Sequence, residues 1–323
     1  MDRKIEISVI VVTYNQEDTI ARTLDSILAQ QTDVPFEIVI GDDCSTDNTE
    51  SVCRDYAERY PDIIRYFRRE KNLGIVGNYF QCIADSRGRF LADCAGDDYW
   101  VNPDKLQMEY DVLAGDEEVA LVHTDWRCCD ITGENIREPD IFKGIERSKR
   151  EVYSPGELTP KIINHDPRGM IHLCTAMFRK DIITEELRNA RQLLISPEYG
   201  CEDYQIEIVM SVRGKIVYLP VVTLHYSIYD GSISHTHDCV KEYRRVKGNL
   251  LISERLREYY NVDIKEIIPY YVEQLDYLSA QAFHSRSKVI ADDYKTLRKT
   301  LFKDLKVNFK TRVKEFLIRI GFY

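Results

Sequence analysis

The chain has 323 residues, of which 44% are hydrophobic, and its formal net charge is −10 with a pI of about 5.3. This length predicts one large domain or two ordinary ones with a sizeable core, and the hydrophobic fraction excludes extensive disorder away from the ends. General nucleic-acid binding is disfavoured because it relies on a cationic surface. An anionic small molecule can still bind through helix N-termini or a metal ion.

The cysteines and the N-terminus point to one compartment. The nine cysteines are odd in number and contain no C-x-x-C pair, which favours reduced thiols in a cytoplasmic protein. The charged segment Met1–Glu6 leads almost at once into a strand, so we expect no signal peptide. There is no apolar window of about 18 residues, so we expect no transmembrane helix.

Strand and helix patterns alternate through the first hundred residues. Apolar β-branched runs predict strands, and apolar positions at helical spacing predict helices between them. We expect strands at 7–13, 36–41, 63–67 and 90–94, and helices at 19–30, at 49–60 and ending near residue 85. The short links predict right-handed crossovers and a parallel sheet with helices on both faces.

Three polar clusters lie at the predicted carboxyl ends of these strands, where ligands bind in such sheets. They are residues 13–15, residues 42–43, and the pair Asp97 and Asp98. Two adjacent carboxylates repel each other, and a divalent cation is the simplest way to offset that repulsion. Alone, the pair fits a solvated turn before a helix equally well. Its coincidence with the other two clusters favours a site.

The second half has a different pattern. Helices are expected at 104–114 and from 201 to about 212, and strands at 119–126, 171–178, 216–219 and 221–226, the last two separated by Pro220. Residues 130–160 are polar and predict a hairpin or a mobile loop. From about residue 240 every segment has helical periodicity.

Five short motifs, in this order, resemble those of the family 2 glycosyltransferases: Ser8–Asn15, Ile38–Asp47, Asn72–Gly74, Asp97–Asp98 and Glu202–Asp203. The resemblance covers residues 5 to about 235. It implies the GT-A fold, a Rossmann-like, mostly parallel α/β sheet with helices on both faces. The implied domains are 1–237, with a nucleotide-binding half (1–100) and an acceptor half (101–237), and a helical C-terminal extension, 238–323.

The resemblance also implies an activity. An inverting enzyme would move a sugar from a nucleotide-diphospho-sugar, with a UDP-sugar favoured, to an acceptor hydroxyl in surface polysaccharide or glycolipid assembly. Mn²⁺ or Mg²⁺ would stabilise the charge that develops on the diphosphate. Asp98 is the implied metal ligand, and Asp97 would face the ribose or the sugar. The family usually has an acid where this chain has Ala95, so the metal motif is incomplete.

The resemblance assigns nucleotide binding to seven further positions: Val12, Thr13, Tyr14, Glu17, Asp43, Asn72 and Gly74. Asp43 would accept a hydrogen bond from the base; the alternative is a helix cap. Tyr14 would pack against the base; the alternative is a core aromatic. Glu17 would approach the ribose, or else supply first-turn charge that complements the helix dipole.

Asp203 is the implied catalytic base. A helix start stabilises an ionised carboxylate, as a base requires, although helix-terminal acids are also common without a catalytic role. The implied acceptor side includes Glu202, His172 and Thr175. Trp100 either stacks on an acceptor sugar or anchors its loop to the core.

The histidines near the end of the domain are expected to form one group, His225, His235 and His237, after the last strands. Relatives carry Arg and His where this chain has Ser227 and Tyr229. His235 or His237 would therefore replace the missing histidine at the diphosphate, or belong to a lid.

Residues 303–323 are basic and amphipathic. Such a helix can lie on an anionic membrane surface, which suits a cytoplasmic enzyme at the inner face of the membrane. The alternative is a helix packed on the protein or in a homodimer contact.

Three other classes of protein are weaker matches. A sugar nucleotidyltransferase would need a glycine-rich, basic loop after the first strand, and residues 11–16 lack one. A dehydrogenase would need G-x-G-x-x-G at the same place. A non-catalytic glycan-binding or scaffold relative remains open, and it would tolerate loss of Asp98 or Asp203.

Overall fold

A computed structural model describes residues 4–229 and 238–321. The described chain forms two compact units. The first comprises residues 4–195 and 202–229 and contains a nine-stranded mixed sheet flanked by helices. The second comprises residues 196–201 and 238–321 and contains helices only.

The first unit begins with alternating strands and helices: β1 (Ile7–Thr13), α1 (Ile20–Leu28), β2 (Phe36–Asp42), α2 (Thr49–Arg59), β3 (Ile64–Arg68), α3 (Gly74–Asp85) and β4 (Phe90–Asp93). It continues with β5 (Tyr99–Trp100), α4 (Lys105–Gly115), β6 (Val119–Cys129), β7 (Glu151–Tyr153), α5 (Thr159–Ile163), β8 (Ala176–Arg179), α6 (Lys180–Asn189), α7 (Arg191–Leu194), α8 (Asp203–Arg213) and β9 (Lys215–Ser227).

β1 lies inside the parallel half of the sheet. All its residues are buried, because neighbouring strands and helices cover its Val and Ile side chains on both faces. It pairs in parallel with β2 on one side and β4 on the other, and β2 pairs in parallel with β3. Thr13 is in register with Asp42, and Ile10 with Asp93. The predicted alternation is therefore correct in this half.

The other half of the sheet is largely antiparallel. β8 pairs antiparallel with β4 and β6, and β5 and β7 pair antiparallel with β9, while β6 and β9 run parallel. The sheet is therefore mixed, and its longest ladders, β1–β2 and β6–β9, are parallel, as the expected fold class implies.

Two predicted strand boundaries are wrong. The strand expected at 171–178 begins only at Ala176, because Leu173–Thr175 form a 3₁₀ turn. The two strands expected around Pro220 are one strand, β9. Pro220 lies where the ladder to β6 shifts register, between Tyr218 and Val222, so its missing N–H interrupts no regular pairing.

The polar segment 130–160 contains more structure than a mobile loop. Cys128 and Arg137 exchange backbone hydrogen bonds of 2.9 Å, which closes a hairpin after β6. The segment also includes a 3₁₀ turn at Asp140–Phe142, and β7 joins the edge of the sheet. The hairpin alternative is thus correct for its first part.

The second unit consists mainly of α9 (Cys239–Tyr259), α10 (Ile268–His284), α11 (Lys288–Thr300) and α12 (Phe309–Arg319), as the helical periodicity predicted. Its core includes the buried rings of Tyr243, Tyr271 and Tyr294. The Tyr243 hydroxyl donates to Asp293 at 2.8 Å. Within residues 4–229 and 238–321, no helix has both the length and the low polarity needed to cross a bilayer.

Candidate active site

The three polar clusters meet at one edge of the sheet. The Asp43 N–H donates to the carbonyl of Thr13 at 2.9 Å, and the Gly96 N–H donates to the carbonyl of Val12 at 3.1 Å. The ends of β1 and β2 and the loop after β4 are thereby tied together. The backbone at Gly96 passes close to two side chains, because a Cβ at this position would lie 2.4 Å from Oε1 of Gln16 and 3.1 Å from Cβ of Thr13.

At this edge Asp98 is buried and Asp97 is partly buried. Asp98 is only 1% exposed, and its Oδ1 accepts the Ser227 N–H at 2.9 Å. Its carbonyl accepts the Thr23 hydroxyl at 2.6 Å. Oδ2 of Asp97 accepts the hydroxyl of Tyr229 at 3.0 Å, and the Asp97 carbonyl accepts the Ser227 hydroxyl at 2.6 Å.

The surroundings of the pair disfavour two negative charges. Burial, and then the charge of Asp97, raise the pKa of Asp98 well above its usual range. Burial also raises the pKa of Asp97, against the lowering effects of the Tyr229 hydroxyl and the Arg22 charge. In the described part of the chain, no lysine or arginine forms an ion pair with Asp98. A bound cation would relieve this repulsion and lower both pKa values.

The residues around the pair suit a hard divalent cation. Thr13 Oγ1 and Gln16 Oε1 are buried beside Gly96 and have no hydrogen-bond partner in the described structure. Within residues 4–229 and 238–321 there is no group of three or more ligand side chains that would hold a metal alone. Mg²⁺ sites often use only one or two carboxylates plus substrate phosphates. Asp97 and Asp98 fit that arrangement.

Arg22, in α1, donates hydrogen bonds around the acid pair. Its Nη2 donates to the carbonyl of Asp97 at 3.1 Å and to the Ser227 hydroxyl at 3.2 Å, and its Nη1 donates to the carbonyl of Ile131 at 3.0 Å. The guanidinium carbon lies 4.4 Å from the centre of the Tyr99 ring. Sequence reasoning missed this residue. The only available signal was that Arg22 is the sole cation in α1.

Ser227 and Tyr229 occupy the positions where the chain departs from the family pattern, yet both contact the acid pair. The histidine grouping expected nearby stays a prediction, but His225 does not follow the last strand as expected. That residue lies inside β9, and its Nδ1 is 2.8 Å from the hydroxyl of Tyr99. His235 and His237 lie outside the described residues.

The end of β1 carries the residues expected at the base. Tyr14 is 47% exposed, so the alternative of a core aromatic is wrong and its ring is accessible for stacking. Val12 and Thr13 are buried at the end of the strand.

Asp43 organises the start of α3. Its Oδ1 accepts the Leu73 N–H at 2.7 Å, and its Oδ2 accepts the Gly74 N–H at 2.9 Å. Asn72 Oδ1 also accepts the Gly74 N–H, at 3.0 Å, and Gly74 adopts a φ of +75°. Asp43 is therefore a cap, but of α3 rather than of the next helix in the chain. Each of its oxygens keeps a second lone pair for a ligand.

Glu17 does not lie in the first turn of α1, which begins at Ile20. Its Oε2 accepts the Asn48 N–H at 2.8 Å, and its own N–H donates to Asp47 at 3.1 Å. Glu17 thus fastens the end of β1 to the start of α2, and the first-turn alternative is wrong.

Two of the residues expected on the acceptor side are buried. Trp100 is 4% exposed, its Nε1 donates to the carbonyl of Cys174 at 3.0 Å, and its ring contacts Lys105, so it anchors its loop to the core. Thr175 is fully buried and donates its hydroxyl to the carbonyl of His172. The expectation that Thr175 faces an acceptor is wrong.

His172 is partly exposed and packs between the rings of Trp126 and Tyr226, with ring centres 5.3 and 4.7 Å away. Its ring nitrogen Nδ1 is buried, and this burial lowers the pKa of His172 to about 4, so the imidazole is neutral at neutral pH. A neutral imidazole at a partly exposed position can hydrogen-bond a hydroxyl group.

Asp203 is the first residue of α8, as predicted, and Glu202 is its N-cap. Burial, and then the charges of Asp203 and Asp93, raise the pKa of Glu202. Asp93, at the end of β4, has its pKa raised to about 8 by burial and then by the charge of Asp203. The charge of Asp203 therefore contributes to the raised pKa values of two carboxyl groups, Glu202 and Asp93.

Asp93 was missed because the sequence of its strand is mostly apolar. It is buried, and its Oδ1 has no hydrogen-bond partner in the described structure. A carboxylate inside an apolar strand was the available signal.

A family model described as glycosyl transferase family 2 matches residues 8–185. The uncharacterized protein Rv1520 of Mycobacterium tuberculosis is 42% identical over 106 residues, which are 33% of this chain and 31% of that protein. The succinoglycan biosynthesis protein ExoO of Rhizobium meliloti is 25% identical over 237 residues, 72% of this chain and 64% of ExoO. The chain thus spans about a third to two thirds of the length of these relatives.

Two solved structures are similar across nearly the whole chain. TarS 1–349 of S. aureus, in complex with UDP-GlcNAc, has a TM-score of 0.57 and 18% identity. The match covers 99% of this chain and 93% of the TarS chain. The mannosyltransferase PcManGT of Pyrobaculum calidifontis, in complex with GDP-Man and Mn²⁺, has a TM-score of 0.54 and 18% identity. The match covers 98% of this chain and 84% of the PcManGT chain. At this identity the likeness concerns the fold, and it confirms the expected GT-A fold. Because the family model matches more than half of the chain, the chain belongs to glycosyl transferase family 2.

Proposed function

We propose that this chain is an inverting glycosyltransferase that transfers a sugar from a nucleotide-diphospho-sugar to an acceptor hydroxyl. One observation carries the proposal. The loop that Asp43 holds and the acid pair Asp97 and Asp98 meet at one edge of the sheet, and the charge of Asp203 contributes to the raised pKa of Asp93 at the end of β4.

The donor would lie across the ends of β1 and β2. The exposed ring of Tyr14 is available to stack on a base, and Asp43 has free acceptor capacity for a ring N–H. A carboxylate that accepts from a ring N–H suits uracil, and we favour a UDP-sugar. The nucleotide sugars bound by TarS and PcManGT, UDP-GlcNAc and GDP-Man, both offer such an N–H.

A divalent cation, Mn²⁺ or Mg²⁺, would be held by Asp98 with Asp97 beside it and would stabilise negative charge on the departing diphosphate. The Ser227 N–H and the Tyr229 hydroxyl orient the two carboxylates. Arg22 fixes the backbone of the pair. PcManGT, a relative in fold, was solved with Mn²⁺.

Asp203 would act as the general base. The N-terminus of α8 stabilises its ionised form, and Asp203 would take the proton of the acceptor hydroxyl as that oxygen attacks the anomeric carbon. The bond from that carbon to the diphosphate oxygen breaks with inversion, and the nucleoside diphosphate leaves. An α-linked donor would give a β-linked product.

The acceptor would be a glycan or a lipid-linked glycan, with His172 and Glu202 on its side of the site. The similarity to ExoO, a succinoglycan biosynthesis protein, supports a place in surface polysaccharide assembly. We place the enzyme in the cytoplasm, where its C-terminal helices would contact either the inner face of the membrane or a second copy of the chain.

A donor-hydrolysis screen tests this proposal. The purified chain is incubated with UDP-, GDP- and dTDP-sugars, with Mn²⁺ or with EDTA, and released nucleoside diphosphate is measured. We expect slow hydrolysis of at least one donor that EDTA abolishes. Hydrolysis of none, together with no nucleotide binding by calorimetry, would refute the proposed activity.

A further inference from the structure

The two faces of α12 differ in a way that folding of the second unit does not explain. Thr311 and Ile318 are fully buried, and they fix one face of the helix. The opposite face carries four exposed hydrophobic residues at helical spacing: Phe309 (79% exposed), Val313 (40%), Phe316 (50%) and Ile320 (59%). We call these four residues the apolar stripe.

α12 is held firmly with this stripe outward. The Thr311 hydroxyl donates to Asp276 of α10 at 2.6 Å, and Lys314 pairs with the same carboxylate at 3.2 Å. Glu315 accepts from Tyr294 and from Arg298 of α11, at 2.9 and 2.7 Å. Scattered exposed hydrophobic residues are ordinary, but four aligned on one anchored helix indicate a surface that is covered by a partner.

The stripe lies in the basic part of an acidic chain. Residues 301–321 contain six Lys or Arg and two Asp or Glu, whereas the whole chain has a net charge of −10. Within the described residues, Lys314 alone of these six lies within ion-pair distance of a carboxylate. The guanidinium of Arg319 lies 5.5 Å from the centre of the Phe316 ring, so this cation lies directly beside the apolar stripe.

A cationic cavity lies beside the same helix. Its volume is about 340 Å³, and it is lined by residues of α11, of α12 and of the link between them. Five cations and one carboxylate face it: Lys295, Arg298, Lys299, Lys303, Arg319 and Glu315. Such a site suits a phosphate group.

We propose that α12 docks the second unit on the anionic surface of a lipid bilayer. The apolar stripe would enter the boundary between headgroups and acyl chains, and the flanking cations would contact lipid phosphates. The bilayer would then be the partner of the C-terminal helices in the proposed function. Bilayer binding rests on the proposed glycosyltransferase function only for its biological purpose, because the binding itself requires no nucleotide sugar.

Charge and size argue for a bilayer rather than a second copy of the chain. A two-fold dimer would bring two cationic surfaces together, which costs free energy, whereas an anionic bilayer complements them. The stripe has four residues, and each partner of a standard protein interface contributes roughly 20–30.

The test is co-sedimentation of the full chain with vesicles of phosphatidylcholine, with and without phosphatidylglycerol. We expect binding only when phosphatidylglycerol is present, and weaker binding as salt is added. Phe309→Ser with Phe316→Ser should lower the vesicle affinity at least about tenfold, because each phenylalanine loses its apolar contact. Lys306→Glu with Lys310→Glu should lower it too.

Two matched variants serve as controls. Val289→Ser removes an apolar side chain that is 74% exposed on α11 and does not belong to the stripe, and Lys265→Glu reverses an exposed charge outside α12. Both should bind vesicles like the wild type. Asp98→Asn should also bind them normally, so a failure of the proposed enzymatic function would leave this result unchanged.

Either of two results would overturn the bilayer as partner. One is equal vesicle affinity of the wild type and the Phe309→Ser/Phe316→Ser variant, including no binding by either. The other is a wild-type dimer in analytical ultracentrifugation that this double substitution dissociates, with no vesicle binding. Circular dichroism of each variant verifies that the helices persist.

Discussion

The backbone N–H of Ser227 donates to Oδ1 of Asp98 at 2.9 Å, across 129 residues of sequence. This bond fixes the carboxylate that we propose as metal ligand to the end of β9. The Ser227 hydroxyl also donates to the Asp97 carbonyl. The end of the domain thereby sets the geometry of a motif near residue 100.

Asp98→Asn should abolish the dependence of nucleotide affinity on Mn²⁺. The amide keeps the size of the side chain and an oxygen for the Ser227 N–H but loses the negative charge that a divalent cation requires. We expect UDP affinity in Mn²⁺ to fall at least about tenfold, to the value measured in EDTA. Calorimetry of UDP with each metal condition measures this. Asp62→Asn, at an exposed position away from the site, is the control, and unchanged Mn²⁺ dependence in Asp98→Asn would exclude Asp98 as the ligand.

Tyr229→Phe tests the contact that stands where relatives carry histidine. The substitution removes only the hydroxyl that donates to Asp97 at 3.0 Å. Loss of one charge-assisted hydrogen bond costs about 1.5–3 kcal/mol, so we expect the rate of donor hydrolysis to fall roughly 10- to 100-fold. Thermal unfolding should change little, because the Tyr229 ring remains. Hydrolysis at the wild-type rate would show that Tyr229 has no part in orienting Asp97.

Asp93→Asn should stabilise the fold, increasingly as the pH rises. The pKa of Asp93 is raised to about 8 by burial and by Asp203, whereas an unfolded aspartate titrates near 3.9. The folded state therefore holds a proton that the unfolded state loses, and the contribution of Asp93 to wild-type stability falls as the pH rises between about 4 and about 8. Asparagine does not ionise, so the Asp93→Asn variant does not lose this stability as the pH rises.

Urea unfolding at about pH 5 and about pH 8 measures the effect, which should reach a few kcal/mol at the higher pH. Asp62→Asn, an exposed control, should show no such trend. A stability difference between Asp93→Asn and wild type that stays constant with pH would contradict the raised pKa.

Lys105→Met should strongly destabilise the first unit. Lys105 and Glu109 form an ion pair of 2.7 Å in which both side chains are fully buried. Removal of the lysine leaves a buried carboxylate without its partner, at a cost of about 3–5 kcal/mol. The double substitution Lys105→Met/Glu109→Leu should recover most of this loss. Chemical denaturation of the three variants measures it, and a double variant no more stable than Lys105→Met would show that packing around Trp100, not charge, dominates.

Much of the fold could be predicted because its signals are local. The β-branched run at Ile7–Thr13 and the apolar spacing of α1 each lie within one element. The errors arise at strand boundaries that are set by contacts between residues far apart in the sequence. Proline is a local sign of a strand end, but at Pro220 the register shift against β6 accommodates it. The 3₁₀ turn at Leu173–Thr175 has the apolar composition of a strand.

The residues of the site that follow strand ends could be predicted, and those placed by distant contacts could not. Asp97 and Asp98 were found because a parallel sheet gathers the ends of its strands. Arg22 was missed because its partner Asp97 lies 75 residues away and no local pattern marks it. Thr175 was placed on the acceptor side by resemblance, whereas the turn that buries it is visible only in the structure.

The most direct test of the proposed mechanism compares wild type and Asp203→Asn with the donor that the hydrolysis screen identifies. Transfer to an acceptor and nucleotide affinity are measured on the same preparations. We expect the substitution to lower the transfer rate by roughly 10²- to 10⁴-fold, the usual contribution of a general base, and to leave nucleotide affinity within about twofold. A variant that transfers at the wild-type rate, or that loses nucleotide affinity instead, would contradict Asp203 as the base.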